Sequence, residues 1–184
     1  MVPYHVLRQH WLMCKYFNSN KLQVLLQNPK RVDGRYSDAP LHKHDYCFAM
    51  GLPFIPVFFQ SAQYLDMEGR KELKDLISIY KKNREKMFEC YTFPIGDIPS
   101  NESWSGFQML NDEKTEGFFL LFREIHNMEP NKTIQVKFLA GKKVQLMNLK
   151  TGDSVQSYVA QDGNISFEIK NPADYLYLYY KVIS

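Results

Sequence analysis

The run His42-Lys43-His44-Asp45, with Cys47 close behind, gathers side chains of metal-ligand type. On an extended backbone His42 and His44 would point to one face. The spacing is not that of a closed zinc site, whose ligands come as paired CxxC or HxxxH sets, so solvated loop histidines are the expected reading and no metal is assigned. The same stretch carries Asp38 and Asp45, the two carboxylates placed to serve a site. Asp38, standing before Ala39-Pro40, is equally a turn or cap residue. Asn28 and Arg31 open the stretch, where polar side chains either contact a ligand or anchor the loop by satisfying its backbone.

These residues need elements to hold them. Tyr4 to Phe17 sets Leu7, Trp11, Cys14 and Phe17 at three- or four-residue spacing, an amphipathic helix with Pro3 in its first turn. KLQVLLQ (21–27) is a short apolar strand stopped at Asn28-Pro29. The long polar loop NPKRVDGRYSDAPLHKHD follows, of a length that is usually functional or disordered. Phe48 to Phe59 is a second apolar, strand-like run, and Gly69 to Phe88 a helix with Leu73, Leu76, Ile77, Tyr80 and Met87 on one face. The order helix, strand, loop, strand, helix is the rhythm of a parallel α/β fold. Two strands cannot close such a sheet, so Val24, Leu25, Phe54 and Val57 are expected to lie on bare apolar surface.

Near Pro94 the pattern changes. From Trp104 onward seven segments (ESWSGFQML, GFFLLFREI, TIQVKFL, KVQLMNL, SVQSYVA, NISFEIK, DYLYLYYKV) alternate with period two, separated by turn signals such as Thr151-Gly152-Asp153 and Asp162-Gly163-Asn164. That predicts an antiparallel sandwich or jelly roll. The expected organisation is an α/β segment over residues 1–95 followed by an all-β domain over 96–184. Arg123 and Glu124 are expected to form a cross-strand or interdomain ion pair. Tyr175, Tyr177 and Tyr179 share one face of the last strand, free to pack on the α/β part or to bind a ligand.

Composition excludes several classes. A net charge of +3, with lysines scattered or merely paired, leaves no nucleic-acid footprint. Phe48–Phe59 is too short and too rich in Pro and Gly to span a bilayer, which takes about 20 apolar residues. Arg8, Gln9 and His10 interrupt the apolar start, so no secretion signal is visible and the compartment stays open. Three widely spaced cysteines fit neither a disulfide framework nor a redox motif and read as core thiols. No cofactor is called for.

The succession of a tryptophan-containing helix, strand, N-P loop, S-D-A-P-L, D-Y-x-F-A, amphipathic helix, P-I-G-x-x-P-x-x-x-S-W-x-G-F-Q and G-F-x-L-x-F-R-E resembles the last part of α-galactosidase-type glycoside hydrolases of the melibiase group. The resemblance covers most of the chain. It implies that residues 3 to about 91 are the last repeats of a (β/α)₈ barrel, followed by the C-terminal β domain of such enzymes. A retaining mechanism needs two carboxylates about 5–5.5 Å apart. In similar enzymes both come from earlier barrel strands, so the resemblance implies a chain without its catalytic pair and inactive alone. The implied partners are carbohydrate and the missing part of the barrel, or a second copy of the chain. Asn28, Arg31, Asp38 and Asp45 would then border the sugar. Trp104 could stack on a pyranose ring, or pack in the core. Two alternatives stand beside this reading: a non-catalytic carbohydrate-binding module using Trp104 and the tyrosine face, and a structural domain without ligand.

Overall fold

In the computed structural model, which describes residues 2–60 and 62–183, the chain begins with helix α1 (Pro3–Met13), which buries Leu7 and Trp11. It stops four residues short of the expected end. Cys14 caps it, and Phe17 lies outside it, 58% exposed. Strand β1 (Gln23–Leu26) pairs in parallel with β2 (Ile55–Phe58), Val24 opposite Pro56 and Leu25 opposite Val57. Between them the apolar run divides: Phe48 and Ala49 close helix α2 (His44–Ala49), residues 50–54 turn, and only Ile55–Phe58 is strand. Tyr46, Cys47, Phe48 and Ala49 are buried one after another, and so short a continuous run does not distinguish helix from strand by period, so the sequence reading missed α2.

Helix α3 (Met67–Glu89) matches its periodicity, with Asp66 accepting from the Gly69 N–H at 2.7 Å as N-cap. Leu73, Leu76, Tyr80 and Met87 are buried and Ile77 packs at their edge. The chain then runs directly into β3 (Tyr91–Gly96), an eighth strand of the all-β part. Pro94 disguised it, because proline demotes a run to non-strand or edge strand. Edge is where it lies.

All seven expected strands form: β4 (Trp104–Leu110), β5 (Glu116–Arg123), β6 (Asn131–Gln135), β7 (Lys143–Asn148), β8 (Ser154–Tyr158), β9 (Asn164–Glu168) and β10 (Asp174–Ile183). Six make one antiparallel sheet in the order β3-β4-β5-β10-β7-β8, and β6 pairs with β9 as a separate ribbon, a sandwich-like arrangement. Gly152 and Gly163, in the two turns marked by the sequence, have φ of 82° and 84°.

The large sheet is buried on both faces. Phe107, Met109, Phe118, Leu120, Phe122, Tyr175 and Tyr177 share one core with α1, α2, α3 and the β1–β2 pair. Trp104, Leu110, Phe119, Leu121, Leu178 and Tyr180 pack on the other face with Ile134, Ile165 and Phe167 of the ribbon. Every residue of β4 is buried in consequence. Within the sheet, neighbouring strands β4 and β5 approach closely enough at Gly117 that a Cβ there would stand 1.9 Å from the Met109 carbonyl oxygen.

The same core corrects the expectation of a bare α/β surface. Val24 and Phe54 are fully buried, Phe54 meeting Phe107 edge-on at 5.2 Å. What stays open is the opposite face of the parallel pair, where Leu25 is 54% exposed beside half-buried Ile55 and Val57. Among the described residues, β1 and β2 each pair along one edge only. No described helix is long and apolar enough to cross a membrane.

Candidate functional site

The chain leaves β1 through Asn28, which is buried. Its Oδ1 accepts from the Lys30 N–H at 3.0 Å, its Nδ2 donates to the Tyr64 carbonyl at 3.2 Å, and its backbone N–H donates to Gln60 Oε1 at 2.9 Å. These bonds tie the ends of β1 and β2 together, so Asn28 anchors the loop. Arg31 is exposed and lays its guanidinium over the Tyr64 ring at 4.2 Å.

Asp38 stands at the start of the Ala39–Leu41 3₁₀ turn, but its side chain does not cap it. Its Oδ2 accepts from Asn101 Nδ2 at 2.8 Å and lies 3.7 Å from His42 Nε2, while Oδ1 is buried without a partner. His42 is stacked on Tyr46 at 4.8 Å, and neither ring nitrogen has a hydrogen-bond partner. Burial holds its pKa below the ordinary histidine value, against the opposing pull of Asp38. His44 pairs instead with Glu72, its Nδ1 3.4 Å from Oε2. Each histidine thus has a separate carboxylate and is buried rather than solvated. Among the described residues no three His, Cys, Asp or Glu side chains converge for a metal.

A depressed histidine pKa has a definite sign. Below about pH 6.5 the unfolded chain takes a proton that folded His42 refuses, so stability is present above that pH and declines as pH falls. The groups facing the ring are Asp38, Lys30 and His126. His42→Phe keeps the stack on Tyr46 and removes the titration, so wild type should lose Tm relative to the variant between pH 7.5 and 5.5; parallel Tm curves would contradict this.

Asp45 lies in the first turn of α2, not in the loop. Its Oδ2 accepts from Tyr175 OH at 3.0 Å and from Lys150 Nζ at 3.2 Å. Both partners come from the all-β part. Trp104 is 0% exposed and donates its indole N–H to the Glu129 carbonyl at 2.8 Å. It has no free face for a sugar, because the β6–β9 ribbon covers that side of the sheet. The tyrosine face of β10 is likewise occupied. Tyr177 OH reaches Met87 Sδ in α3 at 2.9 Å, and Tyr179 OH donates to Glu116.

Arg123 and Glu124 do not pair. Arg123 donates from Nε and both terminal nitrogens to the carbonyls of Asn127, Ile169 and Lys170. Glu124 is buried behind the loop that precedes Trp104: Oε2 accepts from the N–H groups of Ser100 and Ser103 at 3.0 and 3.1 Å, and Oε1 from Ser105 Oγ at 3.0 Å. Burial raises its pKa and these bonds oppose the shift. Burial likewise favours the neutral form of the three thiols. Burial pushes Cys14 up to about 12 and Cys90 to about 11, with Cys47 raised further.

A feature the sequence reading missed is a groove of about 820 Å³ between the end of α1, strand β3 and strand β6. Tyr16 (81% exposed), Phe17 and Tyr91 (56%) stand around it, with Trp11 in its wall. The available signal was Tyr16-Phe17 just past the helix, which had been absorbed into the amphipathic pattern.

No protein-family model and no curated protein matches the sequence. Solved structures do match in fold. The galactosidase domain of the alpha-galactosidase–sucrose kinase AgaSK superposes with a TM-score of 0.74 at 11% identity, over 98% of this chain and 25% of that one. A variant of the GH36 alpha-galactosidase AgaA from Geobacillus stearothermophilus, in complex with stachyose, gives 0.62 at 9% identity over 90% and 22%. The alpha-galactosidase from Lactobacillus brevis gives 0.63 at 11% over 88% and 22%. This chain therefore has the fold of a C-terminal portion of these proteins and spans about a quarter of their length.

Proposed function

We propose that this chain is the C-terminal region of an α-galactosidase-like glycoside hydrolase, whose parent hydrolyses terminal α-linked sugars, and that it is inactive alone. The observation that carries this reading is the fold shared with the galactosidase domain of AgaSK over 98% of the chain and with a GH36 alpha-galactosidase over 90%, α/β segment included. The parallel pair supports it: a barrel wall offers one strand face to outer helices and the other to the barrel interior. Val24 and Leu26 face the helices, and Leu25 stands open where the interior would be. In this reading α1 to α3 with β1 and β2 are the last barrel repeats. Asn28, Arg31, Asp38 and Asp45 follow strand β1 at the sugar-binding end and shape that end through the loop. Of the two candidate carboxylates, Asp45 is held by Lys150 and Tyr175 and Asp38 by Asn101, which supports structural rather than catalytic roles for both.

The test is on the purified chain. It should leave p-nitrophenyl α-galactoside intact and bind a hydrophobic dye or self-associate through the open strand face, and Leu25→Glu with Phe59→Glu should abolish dye binding without lowering Tm. Hydrolysis, or a monomer silent to the dye, would overturn the reading. Translating the DNA before the Met1 codon supplies an independent check, with six further strand–helix repeats and two aspartates at strand ends expected. A second reading, non-catalytic glycan binding, is favoured by the aromatic groove alone, since Trp104 and the tyrosine face are buried.

A further inference from the structure

We propose that the groove between the end of α1, edge strand β3 and β6 binds a neutral oligosaccharide, with sugar rings stacking on Tyr16 and Tyr91. This deepens the glycan-binding reading and rests on it for the class of ligand. At about 820 Å³ the groove lies within the roughly 300–1,000 Å³ that ligand pockets occupy. Its chemistry is mixed in the way a pyranose requires. Exposed aromatic rings suit the apolar face of the sugar, while Asn18, the Oε1 of Gln135 (whose Nε2 donates to the Asp162 carbonyl) and the remaining lone pair of the Thr133 hydroxyl (already bonded to Ser166) are neutral partners for hydroxyls. Trp11 adds a further ring, shielded by Lys15, whose Nζ sits 4.4 Å from the ring centroid and whose flexible stem can yield to a sugar.

Other occupants fit less well. An extended peptide would add to the free edge of β3, but Pro94 has no N–H to offer and the Ile95 carbonyl already accepts from the Trp11 indole at 3.1 Å. A phosphate backbone would want a cationic track. Lys132 is paired with Asp97 at 3.0 Å, leaving Lys15 and Lys137, of which Lys15 lies on Trp11. The groove also lies away from the loop described above: Asn18 precedes β1 and Asn28 follows it, so the two sit at opposite ends of that strand.

The full chain is titrated with stachyose and, separately, maltoheptaose, following tryptophan fluorescence. Trp11 walls the groove and Trp104 is sealed in the core, so a change reports the groove. At least one sugar should saturate in the millimolar range or tighter, with affinity falling about tenfold in Tyr16→Ala and in Tyr91→Ala. Both side chains are exposed, so Tm should be unchanged in either variant. If a sugar binds with equal affinity to both variants, glycan binding survives and the groove assignment falls. If neither sugar binds, both fall, and the reading of the chain as a hydrolase tail stands or falls on its own test.

Discussion

Replacing Trp104 with alanine should destabilise the protein by about 3–5 kcal/mol, the range for emptying a large aromatic site in a close-packed core. For a chain of this size that is a fall in Tm on the order of 10 °C. The ring is sealed between the six-stranded sheet and the β6–β9 ribbon, and its indole N–H satisfies the Glu129 carbonyl, so the variant leaves both a void and an orphaned acceptor. Trp104→Phe should recover much of the packing and none of the hydrogen bond. Sugar titration of the same variants separates this account from a binding role: affinity measured well below Tm should stay at the wild-type value in Trp104→Phe. A folded Trp104→Ala with unchanged Tm would contradict the burial described above.

The second large effect is expected at Glu124. Its carboxylate collects the N–H groups of Ser100 and Ser103 and the Ser105 hydroxyl, and so fixes the loop that carries Asn101. Asn101, held at φ 79°, in turn donates to Asp38 across the boundary between the two parts of the chain. Glu124→Ala strands these donors. With about 1–3 kcal/mol per unsatisfied buried group, and Ser100 able to turn to water, the loss should be about 2–4 kcal/mol. Asn101→Gly, which tolerates the positive φ, removes the link to Asp38 without adding backbone strain and should cost less than half as much. Hydrogen exchange would locate the difference: Glu124→Ala should unprotect residues 97–103 together with the 38–42 turn, whereas a purely local role would spare the latter.

How much of this was readable in advance depends on the residue. β4 to β10 could be recognised because their alternation is strict and glycines mark the turns. Which face each side chain takes was equally plain: Tyr175, Tyr177 and Tyr179 do share one face. What covers that face was not, because a period of two says nothing about the layer opposite, and so Trp104 was open to both a core and a binding role. β3 was hidden by Pro94 and α2 by the continuous apolar run through Phe59. At the candidate site, Asn28 and Asp38 could be placed beside a strand end. Their partners Gln60, Tyr64 and Asn101 lie 32, 36 and 63 residues away, beyond any local pattern. The Arg123–Glu124 pairing failed for a geometric reason: Arg123 is the last residue of β5 and turns toward the ribbon, while Glu124 serves the loop before β4.

The place of β10 in the large sheet has a consequence for biosynthesis. It lies between β5 and β7, opposite Phe119 through Leu178 and opposite Leu146 through Tyr180, yet it is translated after both neighbours. Until it leaves the ribosome, β3-β4-β5 and β7-β8 are two separate antiparallel pieces with open inner edges, and the apolar side chains of β5 have no partner on that side. Closing the gap means zipping a ten-residue strand into a slot whose walls are already made, a non-local step of the slow kind. A nascent chain stalled before Asp174 would therefore present two open strand edges at once, the kind of exposed edge that templates aggregation.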